Sequence, residues 1–318
     1  QMKKVSDYDF VNGWGSGETP LLVANSSDQP VRIPGNLKPH GVTVHPSPQL
    51  SAAVGWRSPL AGPMRIEAKV THAHPECGNG VTWSLELRRG VIRQRLANGT
   101  AQGSKEVKVD FAENITVQRG DLVSLLIGSR EGNHSCDLTD IELVLRSVGE
   151  GGREWSLTRD VSPDVLAGNP HADRFGNDGV WHFYTEPVSG RETGPVIPAG
   201  SLLARWLSAE PAEEKFKLAQ AVQTLLTSSP PEAKDSPDAK LHQQLASLSG
   251  PLFKNQRGGS RREETNSKGQ NRQSLLTSAA TNTVGLDPAS FGRHPNGTAI
   301  EASSLCVQAP SLVEIRLP

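Results

Sequence analysis

Cysteine is scarce here: three among 318 residues are too few for a disulfide-dense scaffold. No C-x-x-C-H segment could attach haem, and no C-x-x-C pair opens a zinc site. No stretch of about 18 apolar residues occurs, so no segment has the length to cross a bilayer as a helix. Charge of one sign is not in excess, since 33 Lys plus Arg face 34 Asp plus Glu. The overall field therefore selects neither nucleic acid nor an anionic membrane. Complete catalytic signatures are missing as well. There is no Gly-x-Ser-x-Gly elbow, no P-loop and no His-Glu-x-x-His helix. Gly13-Trp14-Gly15-Ser16-Gly17 precedes no helical pattern, so it is not a dinucleotide fingerprint. Hydrophobic content is low at 35 % and aromatics reach only 5 %, while 23 prolines are many. Part of the chain is expected to be loop.

What is present is period-2 alternation. In Met64-Arg65-Ile66-Glu67-Ala68-Lys69-Val70 the apolar residues take the even positions and the charges the odd ones. Val81-Thr82-Trp83-Ser84-Leu85-Glu86-Leu87-Arg88, Val107-Lys108-Val109-Asp110-Phe111 and Ile141-Glu142-Leu143-Val144-Leu145-Arg146 repeat the pattern. Such segments put one face in and one face out. Leu122–Ile127 is apolar enough for a central strand. Strand signals spaced by Gly, Pro, Asn and Asp at roughly ten-residue intervals indicate an antiparallel sandwich or jelly roll. Residues 1–50 add two or three short strands, confined to edges by dense prolines. The β-sandwich is expected to span 1–148.

The remainder, 149–318, reads as a smaller mixed α/β segment. Gly149-Glu150-Gly151-Gly152 suggests a hinge, and the aromatics of Trp155 through Tyr184 either make their own core or add to the first. Two helices are predicted, near 211–228 and 237–249. The first places Phe216, Ala219, Val222 and Leu226 on one stripe, with Leu218 and Leu225 at its border. Pro211 suits its first turn and Pro230-Pro231 stop it. Residues 254–272 contain nothing apolar, so 254–282 is expected to be a disordered loop. Its basic residues are diluted by Glu263 and Glu264 and lack interleaved aromatics, which argues against nucleic acid. Cys306, between Leu305 and Val307, reads as a buried strand residue. Both ends, Gln1-Met2-Lys3-Lys4 and Leu312–Pro318, read as cuts in a longer protein.

The residues suited to chemistry lie in turns. Cys77 and Cys136 sit in Gly/Asn-rich turns and could form one bridge or remain two thiols, because spacing alone does not fix their geometry. Sugar recognition pairs a planar aromatic with Asn, Asp or His side chains that bond hydroxyls. Trp14 and Trp56, with His45, Asn79, Asn133, His134 and Asp137, are the candidates; core packing is the alternative for each indole. Asp7, Asp9, Asp137 and Asp140 could offer carboxylate oxygens to Ca²⁺, although no EF-hand loop is matched and solvated turn carboxylates are the leading alternative. His171, Asp173 and His182 suggest an acid–base or metal pair. Their spacing fits no ligand motif, and Asn169-Pro170 makes an ordinary turn.

The run Trp56-Arg57-Ser58-Pro59-Leu60-Ala61-Gly62, with Gly78-Asn79-Gly80-Val81-Thr82-Trp83, Gly120-Asp121 and Gly132–Thr139, resembles a jelly-roll insert of galactose-binding-like type. That insert occurs in large bacterial surface proteins carrying a planctomycete-type cytochrome c domain and paired conserved domains of unknown function. Asn169–Asp173, Val180–Tyr184 and Ile197–Trp206 are similar to the segment that follows it. The resemblance covers most of the chain except 254–282 and transfers no catalytic residue. It implies a periplasmic or cell-surface setting and a role in polysaccharide handling. The leading expectation is a noncatalytic carbohydrate-binding-like module, with a glycan as partner and flanking domains of a parent chain beside it. A scaffold that binds no sugar is the runner-up. A third option is an enzyme, working through His171, Asp173 and His182 or through a redox or hydrolytic domain outside this chain.

Overall fold

The computed structural model describes residues 1–15, 18–90, 92–111, 114–149, 151–188, 196–209 and 211–246. The disordered loop expected at 254–282 and the strands around Cys306 and Leu312 lie outside the described residues. Within them the chain is mainly β, with antiparallel sheets followed by a smaller helical region. In chain order the strands are β1 (Val11–Trp14), β2 (Leu21–Asn25), β3 (Val31–Ile33), β4 (Gly35–Leu37) and β5 (Val42–His45). Next come β6 (Leu50–Arg57), β7 (Gly62–His72), β8 (Val81–Arg89), β9 (Ile92–Ala101) and β10 (Val107–Asp110). The set closes with β11 (Ile115–Val117), β12 (Leu122–Ser129), β13 (Thr139–Ser147), β14 (Glu154–Ser156) and β15 (Trp181–Pro187). One sheet runs β1-β2-β5-β13-β7-β10, with β11 also on β7 and β14 on β13; the other runs β15-β6-β12-β8-β9.

The alternation read in the sequence becomes the two faces of these sheets. Met64, Ile66, Ala68, Val70 and His72 of β7 are buried, and so are Val81, Trp83, Leu85 and Leu87 of β8. The apolar ones meet Val123, Leu125 and Ile127 of β12, with Leu143 and Leu145 of β13, in one core between the sheets. Burying a side chain of this size stabilises by roughly 1.5–3 kcal/mol, so this layer dominates the fold. On the outer side of the first sheet, the β3–β4 hairpin supplies Val31 and Leu37 to a second cluster with Val11, Val23, Ala73 and Leu138.

A bulge between Leu85 and Glu86 shifts the register of β8 against β9, so Glu86 faces Arg95 and Arg88 faces Arg93. Glu86 is wholly buried on the outer face and accepts bonds from Arg93 (2.8 and 3.0 Å), Arg88 (2.9 and 3.2 Å) and Arg95 (3.3 Å). Glu186 of β15 accepts from Arg88 and Arg93 as well, which offsets the like charges of those two cross-strand arginines. Burial would raise the Glu86 carboxyl. The Arg93 bond and the charges of Arg93, Arg88 and Arg95 outweigh it and hold the group below its usual range.

The sheets do not stop at residue 148. β14 pairs with β13, and β15 pairs with β6 along its whole length, from Trp181 opposite Trp56 to Pro187 opposite Leu50. The aromatic segment therefore adds to the first core. Ser156 caps α1 (Leu157–Val161) through its side chain, and Ser201 does the same for α2 (Leu202–Ser208).

The two predicted helices are α3 (Ala212–Thr227) and α4 (Pro237–Ala246). The buried stripe of α3 is centred on Leu218 and Leu225, not on the Phe216 row, and Phe216 is 63 % exposed. Leu218, Ala221, Val222 and Leu225 form an i, i+3, i+4, i+7 face that excludes Phe216. The chain divides into two compact units, Gln1–Gln223 with both sheets and Thr224–Pro318 with the last turn of α3 and with α4.

Candidate functional site

Strand ends converge at one end of the sandwich. Thr139 at the start of β13 lies opposite both Val44 of β5 and His72, the last residue of β7. Val81 at the start of β8 lies opposite both Ser129 and Ala101, the ends of β12 and β9. The loops 46–49, 73–80, 102–106 and 130–138 therefore leave from the same end. Cys77 and Cys136 form a disulfide across the two larger loops, with their Cα atoms 5.6 Å apart. Asn79 Nδ2 donates to the Arg130 carbonyl at 3.0 Å, while Arg130 donates to the Asn79 carbonyl and to Gln102 Oε1, each at 3.3 Å. Gly78 has φ +78, and a Cβ there would lie 2.3 Å from the Ser135 carbonyl oxygen. Only glycine allows the two loops to approach so closely.

The loops also hold a histidine group. The His72 ring bonds the Cys136 carbonyl through Nε2 at 2.8 Å, and the His45 and His134 rings stand 6.1 Å apart, edge to face. Burial lowers the His45 pKa and the charges of His134 and His72 add to that, against a raising bond to the Pro46 carbonyl. Asn133 Oδ1 accepts from the Ser135 amide at 3.0 Å, an Asx turn that leaves its amide end exposed. Asp137 is 0 % exposed and neither carboxylate oxygen has a hydrogen-bond partner. Burial pushes its pKa up to about 7.

Among the described residues, eleven buried side-chain atoms lack a hydrogen-bond partner. Six of them lie here: Thr71 Oγ1, His72 Nδ1, His74 Nδ1, Asn79 Oδ1 and both oxygens of Asp137. Buried polar groups are normally paired, so this concentration of unpaired ones sets the loop end apart from the rest of the described residues.

Of the residues expected from sequence, His45, Asn79, Asn133, His134 and Asp137 share this end. The two indoles do not. Trp56 is 0 % exposed, because β6 lies between β12 and β15 and presents the indole to the core, 5.2 Å from the Trp155 ring. Trp14 is half-buried against the core, and its Nε1 donates to the Val165 carbonyl at 2.8 Å.

The four aspartates proposed for Ca²⁺ do not gather. Asp7 and Asp9 are exposed, Asp9 beside Lys4; Asp140 pairs with Lys38 at 2.6 Å; Asp137 is enclosed. The His171 group has structural work instead. His171 Nε2 reaches Asp164 Oδ1 at 3.1 Å, and His182 bonds the Gly179 carbonyl at 3.0 Å. Asp173 accepts from Trp155 Nε1 at 2.6 Å and from Asn177. Asn169 bonds both the amide and the carbonyl of Phe183.

Sequence reasoning did not single out His72, His74, Arg130 or Gln102. A usable signal existed for the first, since Met64 to His72 keeps the even-position alternation of β7 to its last residue.

Fold and site together define an antiparallel β-sandwich with a disulfide-tied, polar loop end. Set against known proteins, the chain matches no family model and no curated protein.

Proposed function

We propose that this chain is a noncatalytic, carbohydrate-binding-like module, and that its disulfide-tied loop end takes the ligand. The observation that carries this reading is the convergence of His45, Asn79, Asn133, His134 and Asp137 with Arg130 and Gln102 at one end of the sandwich. Asn133 and Gln102 are exposed and His45, Asn79, Arg130 and His134 half-buried, so this end presents donors and acceptors suited to hydroxyls, while Asp137 is enclosed. Both indoles are drawn inward, so recognition rests on hydrogen bonds rather than on ring stacking. The resemblance to galactose-binding-like jelly rolls of bacterial surface proteins supports the same reading. A disulfide suits an oxidising, extracytoplasmic compartment. In this view the chain belongs to a larger secreted or surface protein that handles polysaccharide, with flanking domains supplying the chemistry.

Glycan-array screening of the full chain tests the reading directly. Binding to at least one glycan class is expected, and Asn133→Ala and His134→Ala should each weaken it about tenfold, the effect of losing one good hydrogen bond in a binding site. The burial of Trp56 favours a second reading, a scaffold that spaces other domains. Absence of binding across the array, with both variants folded, would give that reading the field.

A further inference from the structure

His74, Cys77 and Cys136 place one ring nitrogen and two sulfurs within 4.8 Å of one another. We propose that reducing the Cys77–Cys136 disulfide converts this corner into a binding site for a thiophilic divalent cation, Zn²⁺ in the first instance. The two thiolates and the His74 imidazole would be protein ligands and water the fourth. This site does not depend on sugar recognition.

Several features fit it. Tetrahedral zinc with ordinary Zn–S and Zn–N bonds keeps its ligand atoms about 3.3–3.8 Å apart, so after reduction the two sulfurs part from their bonded distance while the ring nitrogen closes in from within 4.8 Å, both by side-chain rotation. His74 and Cys77 are three residues apart in a turn closed by the Cys77 amide on the His74 carbonyl at 3.2 Å. Pro75 fixes φ at the first central position of that turn. Gly78 follows with φ +78 and brings the chain against Ser135 and Cys136 of the other loop. His74 Nδ1 is buried and has no hydrogen-bond partner. The other ring nitrogen, Nε2, lies 3.9 Å from Glu76 Oε2, and Glu76 in turn is held by Arg32 at 2.8 Å. A carboxylate behind the distal nitrogen is the usual outer partner of a metal-bound histidine. All three candidate ligands are half-buried residues.

The chemistry balances with a dithiol as reductant. Two electrons and two protons pass from the dithiol to the protein disulfide, leaving two protein thiols and an oxidised dithiol. Binding of the cation then releases the two thiol protons. The bridge and the metal site are mutually exclusive states of the same two sulfurs.

The test uses the full chain carrying Cys306→Ser, so that only these two thiols remain, reduced with a dithiol, freed of it under anaerobic conditions and titrated with Co²⁺. One equivalent should bind, with a thiolate-to-cobalt charge-transfer band and tetrahedral d–d bands that Zn²⁺ abolishes. The oxidised protein should show neither band. His74→Ala should weaken Co²⁺ binding at least tenfold, and Glu76→Gln by roughly ten- to a hundredfold in the same direction. Circular dichroism of the reduced protein is recorded in parallel. Lack of the charge-transfer band in a folded, reduced chain would overturn the proposal, as would full affinity in His74→Ala. So would loss of the sandwich on reduction, since the site would then not exist in the folded protein.

Discussion

On the outer face of β8 and β9, Glu86 is fully enclosed and accepts from three arginines; at the loop end Asp137 is just as enclosed and accepts from no group. The first carboxylate is held low by its partners and the second is pushed up to about 7 by burial. The difference lies in what surrounds each. Around Glu86 two strands stay paired through a bulge, which puts Arg93 and Arg95 on the same side as their acceptor. Around Asp137 the backbone is irregular, and loops joined by a disulfide enclose several polar atoms that no neighbouring group satisfies. A saturated network holds a sheet together. An unsaturated one is where binding has something to gain.

The strongest way to break this comparison is to empty the saturated side. Glu86→Ala leaves Arg88, Arg93 and Arg95 packed without their central carboxylate and should lower stability by about 3–5 kcal/mol in urea unfolding. A loss below about 1 kcal/mol would show the network to be effectively solvated.

Paired Cys77→Ser and Cys136→Ser substitutions should come next, at about 2–4 kcal/mol. Their effect should be local: amide exchange in 73–80 and 130–138 should accelerate while β8 and β9 stay protected. Uniform acceleration would mean that the loop end and the sheet open as one unit.

Asp137→Asn is expected to raise stability by about 1–3 kcal/mol at pH 8 and to change little near pH 4. In the folded chain Asp137 keeps its proton up to about pH 7, whereas the unfolded chain loses it near 3.8. Between those values the folded state binds more protons, so this group makes stability fall as pH rises. Glu86 has the opposite sign: its contribution is present above the ordinary carboxylate value and is lost as pH falls through its lowered one. Urea midpoints measured from pH 4 to 8 separate the two, because the downward slope toward pH 8 should vanish in Asp137→Asn alone.

The smallest effect on stability is predicted for His134→Ala, within about 0.5 kcal/mol. It is the same substitution that should weaken glycan binding, so the midpoint and the array read independent properties.

The strands of 51–146 were legible because a half-buried sheet forces period 2, and β7 shows it from Met64 to His72. β15 was recognisable as a strand in Val180–Tyr184, but its partner was not, since nothing local in Trp181–Pro187 names Leu50–Arg57. The same blindness left Trp56 between two readings. Core packing was the alternative for Trp56, and the strand's position between two neighbours decides for it. The turns around Cys77 and Cys136 were visible as candidates, and their meeting follows from the pairing of β7 with β13, a long-range fact. His72 and His74 went unnoticed because a histidine in or after an alternating strand looks like any other polar residue until one nitrogen of its ring is found buried without a partner.

The pairing of β15 with β6 also sets an order of assembly. During synthesis β6 emerges with its partner still more than a hundred residues away, and one edge keeps a free row of amides and carbonyls until Pro187 has been made. Such an edge is a template for any extended segment, including the same strand of another copy. A fragment ended at residue 148 would preserve that exposed state permanently and should self-associate. Extension through Val188 supplies the native strand, so the final residues of the second sheet act as a built-in guard against mispairing.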